Sequence, residues 1–337
     1  MDLGARIVTL DLAETFTIAR GSQDRTDVVE VEIRHGDVSG YGEAAPIDRY
    51  NETATSALAY LQEVAGDLGD DPFALDEVML RLPKEQFAAR AAVDAALHDL
   101  CGKLTGEPVW RFLGLQRDGP PTSWTIGIDT PGEMADRARR AHASGRFKRL
   151  KLKLGGRDGL DLDRVGAVRD VTDVPLQVDV NEYWSLEEAR ETLPKLAELG
   201  VVYCEQPLPA GDPDGAALKK DAAIPIYVDE DCHTVVDVAP CASIAHGINI
   251  KLAKSGGIGE AIRMAHAARS LGLGVMLGCM VESGLGIAAG AAIAGLCDHV
   301  DLDGNLLLAH DPWPGVDLVD GIQTPSDAPG LGVSPAS

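Results

Sequence analysis

The 337-residue sequence is short of positive charge: 30 Lys and Arg face 53 Asp and Glu, leaving a net charge of −23. Nucleic-acid grooves and anionic membrane surfaces both require clustered cations, so neither partner is expected. Long apolar runs are missing too. No window approaches the roughly 18 uninterrupted apolar residues of a membrane span. The opening stretch, MDLGARIVTLDLAETF, has no basic start leading into an apolar core. No signal peptide is expected, and a cytoplasmic location is. Nor does any cysteine pair have zinc-ligand spacing. Cys101, Cys204, Cys232, Cys241, Cys279 and Cys297 are scattered, mostly within apolar stretches. A chain this long does not need disulfide staples, so buried free thiols are expected. With 45% hydrophobic residues, there is material for a large core in one domain or two.

What is present, from Gly119 onward, is a repeat of 22 to 30 residues: a short β-rich run, a turn, then a helical stretch rich in Ala, Glu and Arg. The candidate strands are Ser123–Gly127, Arg149–Gly155, Leu176–Asn181 and Val202–Pro207, then Ile224–Asp231, Gly247–Lys254, Gly274–Met280 and His299–Gly304. Between them lie amphipathic stretches such as SLEEARETLPKLAELG, with Ser185 placed to cap a helix and Gly200 to stop it. Eight strands alternating with helices predict an α/β fold, a (β/α)₈-type barrel rather than an open sheet. Residues 1–118 read as a separate α+β domain. VVEVEIRHGDVSGYGEAAP forms an antiparallel hairpin turning at His35–Asp37, and Ala88–Gly106 is a helix with small residues on one packing face. The barrel is assigned to residues 119–309, and the tail 310–337 is expected to pack near the first domain. From Ile322 to Ser337 that tail is rich in Pro, Gly and Ser and is expected to be extended or frayed.

FKRLKLKLGG (Phe147–Gly156) places Leu150, Leu152 and Leu154 on one face of a strand and Arg149, Lys151 and Lys153 on the other. Inward-facing ammonium groups are costly without an anion nearby. Anions are supplied by the C-terminal ends of the other strands, where barrel active sites gather: Asp179, Glu205, the run Asp229–Glu230–Asp231, and Asp301 with Asp303. Parallel barrel strands are normally apolar. Asp179, Glu205 and Asp229 come from three successive strands, 26 and 24 residues apart. Three converging carboxylates repel one another unless a cation holds them, and all-oxygen ligands suit a hard ion such as Mg²⁺. Helix caps or loop acids would need a coincidence over three consecutive strands. Lys153 and Lys251 belong to strands two and six, which face each other across a barrel. A lysine becomes a base at neutral pH only if its pKa falls from ~10.4 to roughly 7–8, ~4 kcal/mol of bias. Lys151 and a divalent cation would both push Lys153 that way.

The ordered set KLKLGG, DVNEYW, CEQP, VDED, INIKLAKSGGI and DLDG resembles the enolase superfamily, in its muconate-lactonizing subgroup. DLDG (Asp301–Gly304) followed by LLLAHDPW looks like the dipeptide epimerases. TIARGSQDRTDVVEVEI and GYGEAAPIDRYNET are similar to the bacterial L-Ala-D/L-Glu epimerases. The resemblance covers nearly the whole chain. It implies a (β/α)₇β TIM-like barrel with an N-terminal α+β capping domain, whose loops near residues 16–25 and 46–52 close over a small-molecule dipeptide. It implies Mg²⁺ on Asp179, Glu205 and Asp229, and an acid/base pair of Lys153 and Lys251. Asp301 and Asp303 would hold the dipeptide ammonium, and Arg20 the side-chain carboxylate of a glutamyl residue. A role in recycling cell-wall peptides and assembly as a homo-oligomer are further expectations.

Bases on both faces of a carbon permit inversion, which a one-face dehydration would not need. The rival activities are epimerisation of other dipeptides, racemisation of N-acyl amino acids, which lack the ammonium that two aspartates would hold, and cycloisomerisation. A non-catalytic small-molecule-binding barrel leaves the opposed lysines unexplained. Asp301 and Asp303 could instead bind a second cation or cap a turn, and Arg20 could pair with an acid of the capping domain. Lys254, Glu230 and Glu282 are supporting candidates; His98 and Trp110 read as packing residues. Asp231 and Asn51 depart from the family pattern, at the pocket and at a capping loop, and bear on substrate preference.

Overall fold

Alternation of buried Val29, Val31 and Ile33 with charged neighbours builds the centre of a three-stranded antiparallel sheet. In the computed structural model, which describes residues 1–336, this sheet comprises β1 (Asp2–Ile18), β2 (Gly21–His35) and β3 (Val38–Ala44). The turn between β2 and β3 falls at the expected place. β1 is a long edge strand with most of its side chains at least partly in solvent. The segment 16–25, expected as a loop, is a hairpin tip instead: Phe16 pairs with Gln23, Thr17 with Ser22 and Ile18 with Gly21, which leaves Ala19 and Arg20 as the turn. The helix Phe87–Thr105 lies against β3 so closely that a Cβ at Gly40 or Gly42 would sit 2.1 Å from the carbonyl oxygens of Ala96 and Ala92. Small residues on both sides permit that approach.

Eight parallel strands follow: β4 (Trp124–Ile126), β5 (Leu150–Lys153), β6 (Leu176–Asp179), β7 (Val201–Glu205), β8 (Ile226–Val228), β9 (Gly247–Lys251), β10 (Gly274–Gly278) and β11 (His299–Asp301). They pair in sequence order. Thr122 bridges Val300, and the Ser123 amide donates to the Val300 carbonyl (3.0 Å), so the last strand closes onto the first. Helical returns separate all eight strands, and β11 leads only into the short 3₁₀ turn Gly304–Leu307. The result is a (β/α)₇β barrel. Ser185 caps the helix Leu186–Glu198 through a reciprocal box with Glu188, as its sequence predicts, and Gly200 follows in the left-handed region at φ 73°.

All eight barrel strands stop one to three residues earlier than expected, and two of these endings shape the site. β8 ends at Val228, so Asp229–Asp231 form a turn, and β9 ends at Lys251, where Leu252–Ser255 make one helical turn. The tail is extended but docked. β12 (Asp317–Val319) pairs with β13 (Ile322–Thr324), and Leu331 and Val333 are buried. The Leu331 amide donates to Asp99 (2.7 Å) on the helix Phe87–Thr105. Ser337 lies outside the described residues. His98 and Trp110 pack as expected: His98 is buried with Nδ1 2.8 Å from the Asp94 carbonyl, and the Trp110 indole donates to Ser326 O. The cysteines carry no disulfide; all but Cys279 are buried. Among the described residues no helix is long and apolar enough to cross a membrane.

Candidate active site

On β5 and just past its end, Leu150, Leu152 and Leu154 pack into the helix layer, while Lys151 and Lys153 point into the barrel. Parallel register then sets the site. Lys153 is opposite Asp179 and Asp179 opposite Glu205; Glu205 is opposite Tyr227, two residues before Asp229. Charged groups thus ring the C-terminal mouth of the barrel. The Lys151 Nζ lies 2.7 Å from Asp301 Oδ2, 2.7 Å from Glu205 Oε2 and 3.2 Å from Asp179 Oδ2. Lys153 Nζ is 2.6 Å from Asp179 Oδ2, and Lys251 Nζ is 2.7 Å from Asp229 Oδ2. β5 and β9 are four positions apart in the eight-stranded sheet, so Lys153 and Lys251 approach from opposite sides.

Burial in this dense charge array shifts titration in physically readable ways. Burial works against ionised Asp179 and Asp229, yet lysines outweigh it and hold both below the usual carboxylate range. Burial and the neighbouring Asp179 together raise Glu205. Burial, followed by repulsion from Asp229 and Asp179, pushes Glu230 to about 7; burial and Asp301 do the same to Asp303. Burial alone would depress Lys151 and Lys251, but the carboxylates around them keep both above the ordinary lysine range. A divalent cation on these oxygens would reverse the local field at the lysines.

Among the described residues no three Asp, Glu, His or Cys side chains converge closely enough to hold a metal ion; lysine ammoniums stand beside each of the expected ligands. The donor set still fits a hard cation. Glu205 Oε2 and Asp229 Oδ2 are buried without a hydrogen-bond partner, although each lies 2.7 Å from an ammonium. The pairs are close but poorly aligned for hydrogen bonding, and both oxygens can turn to an ion.

The mouth opens into a cavity of about 600 Å³, lined on the barrel side by Lys151, Lys153, Lys251, Asp301 and Asp303 and on the cap side by Arg20 and the turn Asp48–Tyr50. Asp303 Oδ2 accepts from the Thr125 amide (2.6 Å). At the other end Arg20 Nη1 donates to Glu230 Oε1 (2.8 Å), Glu182 Oε2 (3.2 Å) and Asn181 O (3.4 Å). All nine expected site residues therefore surround one cavity or its floor.

Several polar supports were not anticipated. Gln206 Oε1 accepts from the amides of Asp229 and Glu230 (2.8 and 3.0 Å), while its Nε2 donates to Leu208 O and to Asp231 Oδ2 (2.9 and 2.7 Å), which fixes the turn carrying Asp229. Asn249 Nδ2 donates to Glu205 Oε1 (2.7 Å), and Lys153 donates to Asn181 Oδ1 (3.3 Å). Gln206 and Asn181 stand within two residues of Glu205 and Asp179, their only sequence signal, and Asn249, between Ile248 and Ile250, has none. Asp231 faces Gln206 and the Gly211 amide (2.7 Å) and does not line the cavity. Asn51 occupies the left-handed region (φ 58°), where asparagine is the residue that best replaces glycine.

Residues 133–337 match the enolase C-terminal domain-like model, and residues 4–114 match the N-terminal domain of mandelate racemase and muconate lactonizing enzyme. The chain belongs to the mandelate racemase/muconate lactonizing enzyme family. Within that family it is 40% identical over 330 residues to an L-Ala-D/L-Glu epimerase of Bacteroides thetaiotaomicron, covering 96% of this chain and 85% of the relative. It is 39% identical over 334 residues to an L-Ala-D/L-amino acid epimerase of Pedosphaera parvula, covering 95% and 94%. Its fold superposes with a TM-score of 0.93 on the dipeptide epimerase from Enterococcus faecalis complexed with Mg and L-Leu-L-Tyr, at 32% identity and 99% coverage of both chains. Members of the mandelate racemase/muconate lactonizing enzyme family thus share this chain's barrel, its cap and the order in which the two occur.

Proposed function

We propose that the protein is a Mg²⁺-dependent dipeptide epimerase that inverts the α-carbon of the C-terminal residue, with L-Ala-D/L-Glu as substrate. The observation that carries this reading is the pair of lysines, Lys153 and Lys251, reaching one cavity from opposite walls above three strand-end carboxylates. Asp179, Glu205 and Asp229 would hold the ion. When bound, it supplies positive charge against the negative charge that builds on the substrate carboxylate as the α-proton leaves.

Lys153 and Lys251 then divide the proton transfer. The neutral amine on one wall takes the α-proton, its lone pair becoming an N–H bond while the C–H electrons move onto the carboxylate. The ammonium on the other wall returns a proton to the opposite face. The reverse direction exchanges their roles. Lys151, tied to Asp301, Glu205 and Asp179, contributes positive charge beside Lys153 and spaces the carboxylates. Asp301 and Asp303 receive the dipeptide ammonium. Arg20, braced through Nη1 alone, keeps its other nitrogens for the glutamyl carboxylate.

The test is incubation with Mg²⁺ and L-Ala-L-Glu in D₂O, following the glutamyl α-proton by NMR. Loss of that signal with growth of the L-Ala-D-Glu diastereomer supports the reading. Exchange without a diastereomer would refute the two-base assignment. Absence of exchange at saturating Mg²⁺ would refute the substrate.

A further inference from the structure

Glu182 occupies a loop just past β6 whose shape is unusual. Asn181 and Glu182, neither of them glycine, lie consecutively in the left-handed region at φ 50° and 77°. Such a conformation persists only where surrounding contacts impose it. Here the Glu182 amide donates to Gln206 O (2.9 Å) and the Trp184 amide to Pro207 O (3.0 Å). The side chain that this backbone aims outward is only 11% exposed.

Its carboxylate meets two separate parts of the cap. Oε1 accepts from Arg49 Nη2 (2.7 Å) and the Ala210 amide (3.0 Å), and Oε2 accepts from Arg49 Nε (2.8 Å) and Arg20 Nη1 (3.2 Å). Arg49 belongs to the 3₁₀ turn Asp48–Tyr50 and Arg20 to the β1–β2 hairpin tip. Burial opposes ionisation of Glu182, but the arginines and the amide hold it below its ordinary value. Arg20 is therefore shared by two carboxylates, Glu182 and Glu230, both through Nη1. Among the described residues its Nε and Nη2 make no hydrogen bond.

We propose that Glu182 determines how strongly this site prefers an acidic over an uncharged substrate side chain, by partly neutralising Arg20 while it holds both cap segments on the barrel. The proposal rests on the reading above, in which the substrate side chain points to Arg20. An incoming carboxylate reaches the unused Nε and Nη2 but shares the single positive charge of the guanidinium with Glu182 and Glu230; an uncharged side chain meets a guanidinium whose charge is already answered. The Glu182 contact is the longer of the two, and Arg49 retains Glu182 in a two-point fork when Arg20 turns away.

The experiment measures kcat and KM with Mg²⁺ for L-Ala-L-Glu and L-Ala-L-Leu in the wild type, Glu182→Gln, Glu182→Asp and Arg49→Met. Removing one partly exposed charge beside Arg20 should raise the Glu-to-Leu ratio of kcat/KM on the order of fivefold, mainly through KM. Glu182→Asp, which keeps the charge, should leave that ratio within about twofold of wild type on the same scale. Arg49→Met loosens the cap with Glu182 still ionised and should change both substrates by a common factor. If Glu182→Gln shifts both substrates equally, the residue only positions the loop and the proposal fails. Should Glu182→Gln not fold, a Glu182→Asp ratio that moves by fivefold toward glutamate would equally overturn it. A wild type that inverts neither dipeptide overturns the proposal together with the reading beneath it, whereas an active wild type with an unchanged ratio in the variant overturns the proposal alone.

Discussion

Lys254 holds Asp229 at two points: its ammonium lies 2.6 Å from the Asp229 carboxylate and 2.5 Å from the same residue's carbonyl oxygen, with a third bond to Asn249 O at 2.9 Å. The lysine is fully buried and does not line the cavity. Its place is to orient a side chain that the reaction needs.

Lys254→Met should therefore weaken Mg²⁺ binding by roughly 10–100-fold, the usual cost of losing a group that orients a ligand. Isothermal titration of the purified protein with Mg²⁺ reads this directly. The variant should also unfold more easily by about 3 kcal/mol, since a buried carboxylate loses one of its two ammonium partners. An unchanged Mg²⁺ affinity would show that Lys251 and Gln206 suffice to position Asp229.

Replacing either opposed lysine should separate exchange from inversion. Lys153→Ala and Lys251→Ala should each lower epimerisation by roughly 10²–10⁴-fold. Each should still exchange the α-proton of one epimer in D₂O, and the two variants should retain opposite epimers. Exchange of both epimers by one variant would mean that another base reaches the same face.

Asp303 should release a proton when a dipeptide binds. Burial and Asp301 hold it at about 7, so a fraction is protonated near neutrality, and an arriving ammonium favours the carboxylate. Calorimetry at pH 7 in buffers of different ionisation enthalpy should show net proton release in the wild type. Asp303→Asn should abolish that release and raise KM for dipeptides with a free amino group.

A second carboxyl pair lies at the seam between cap and barrel. Glu43 of β3 accepts from the amide (2.9 Å) and hydroxyl of Ser283, and burial, opposed by those bonds and reinforced by Glu282 and Glu30, pushes it to about 8. Burial raises Glu282 to about 7 against the Met280 amide and Lys251. Both values exceed the ordinary 4.5, so between pH 4.5 and about 8 these two groups bind more protons in the folded protein than in the unfolded chain. Their contribution to stability should accordingly fall as pH rises through this window, by an amount of order several kcal/mol. Thermal unfolding at pH 5.5 and 9 should show it, and Glu43→Gln should flatten the difference.

The barrel could be read from sequence because its functional strand ends violate the rule for buried parallel strands: Lys151, Asp179 and Glu205 stand out against valine and leucine. The cap gave weaker signals. β1 is a mostly exposed edge strand, so its alternation carries little burial contrast, and its hairpin tip reads as a loop. Gln206, Asn249 and Glu182 were not legible for another reason. An amide or carboxylate that braces a neighbouring strand has no pattern within its own segment, and the partners it braces lie 20 or more residues away. Lys151 was legible only in part. Its place inward followed from alternation, but the three carboxylates gathered around it belong to three other strands.

The bond between the Leu331 amide and Asp99 ties the two ends of the chain's course together. Asp99 also accepts from the Tyr41 amide (2.8 Å) and Lys103 (2.6 Å), and Gly330 pairs with Val109 and Glu107. One carboxylate on the cap's central helix thus waits for a segment made more than 200 residues later. Domains generally fold in the order of their synthesis, so the cap is made first, but its contacts with residues 330 and 331 can form only after that segment has left the ribosome. A nascent chain stalled inside the barrel would therefore carry a cap in which Asp99 lacks the Leu331 amide and Val109 lacks its acceptor on Gly330.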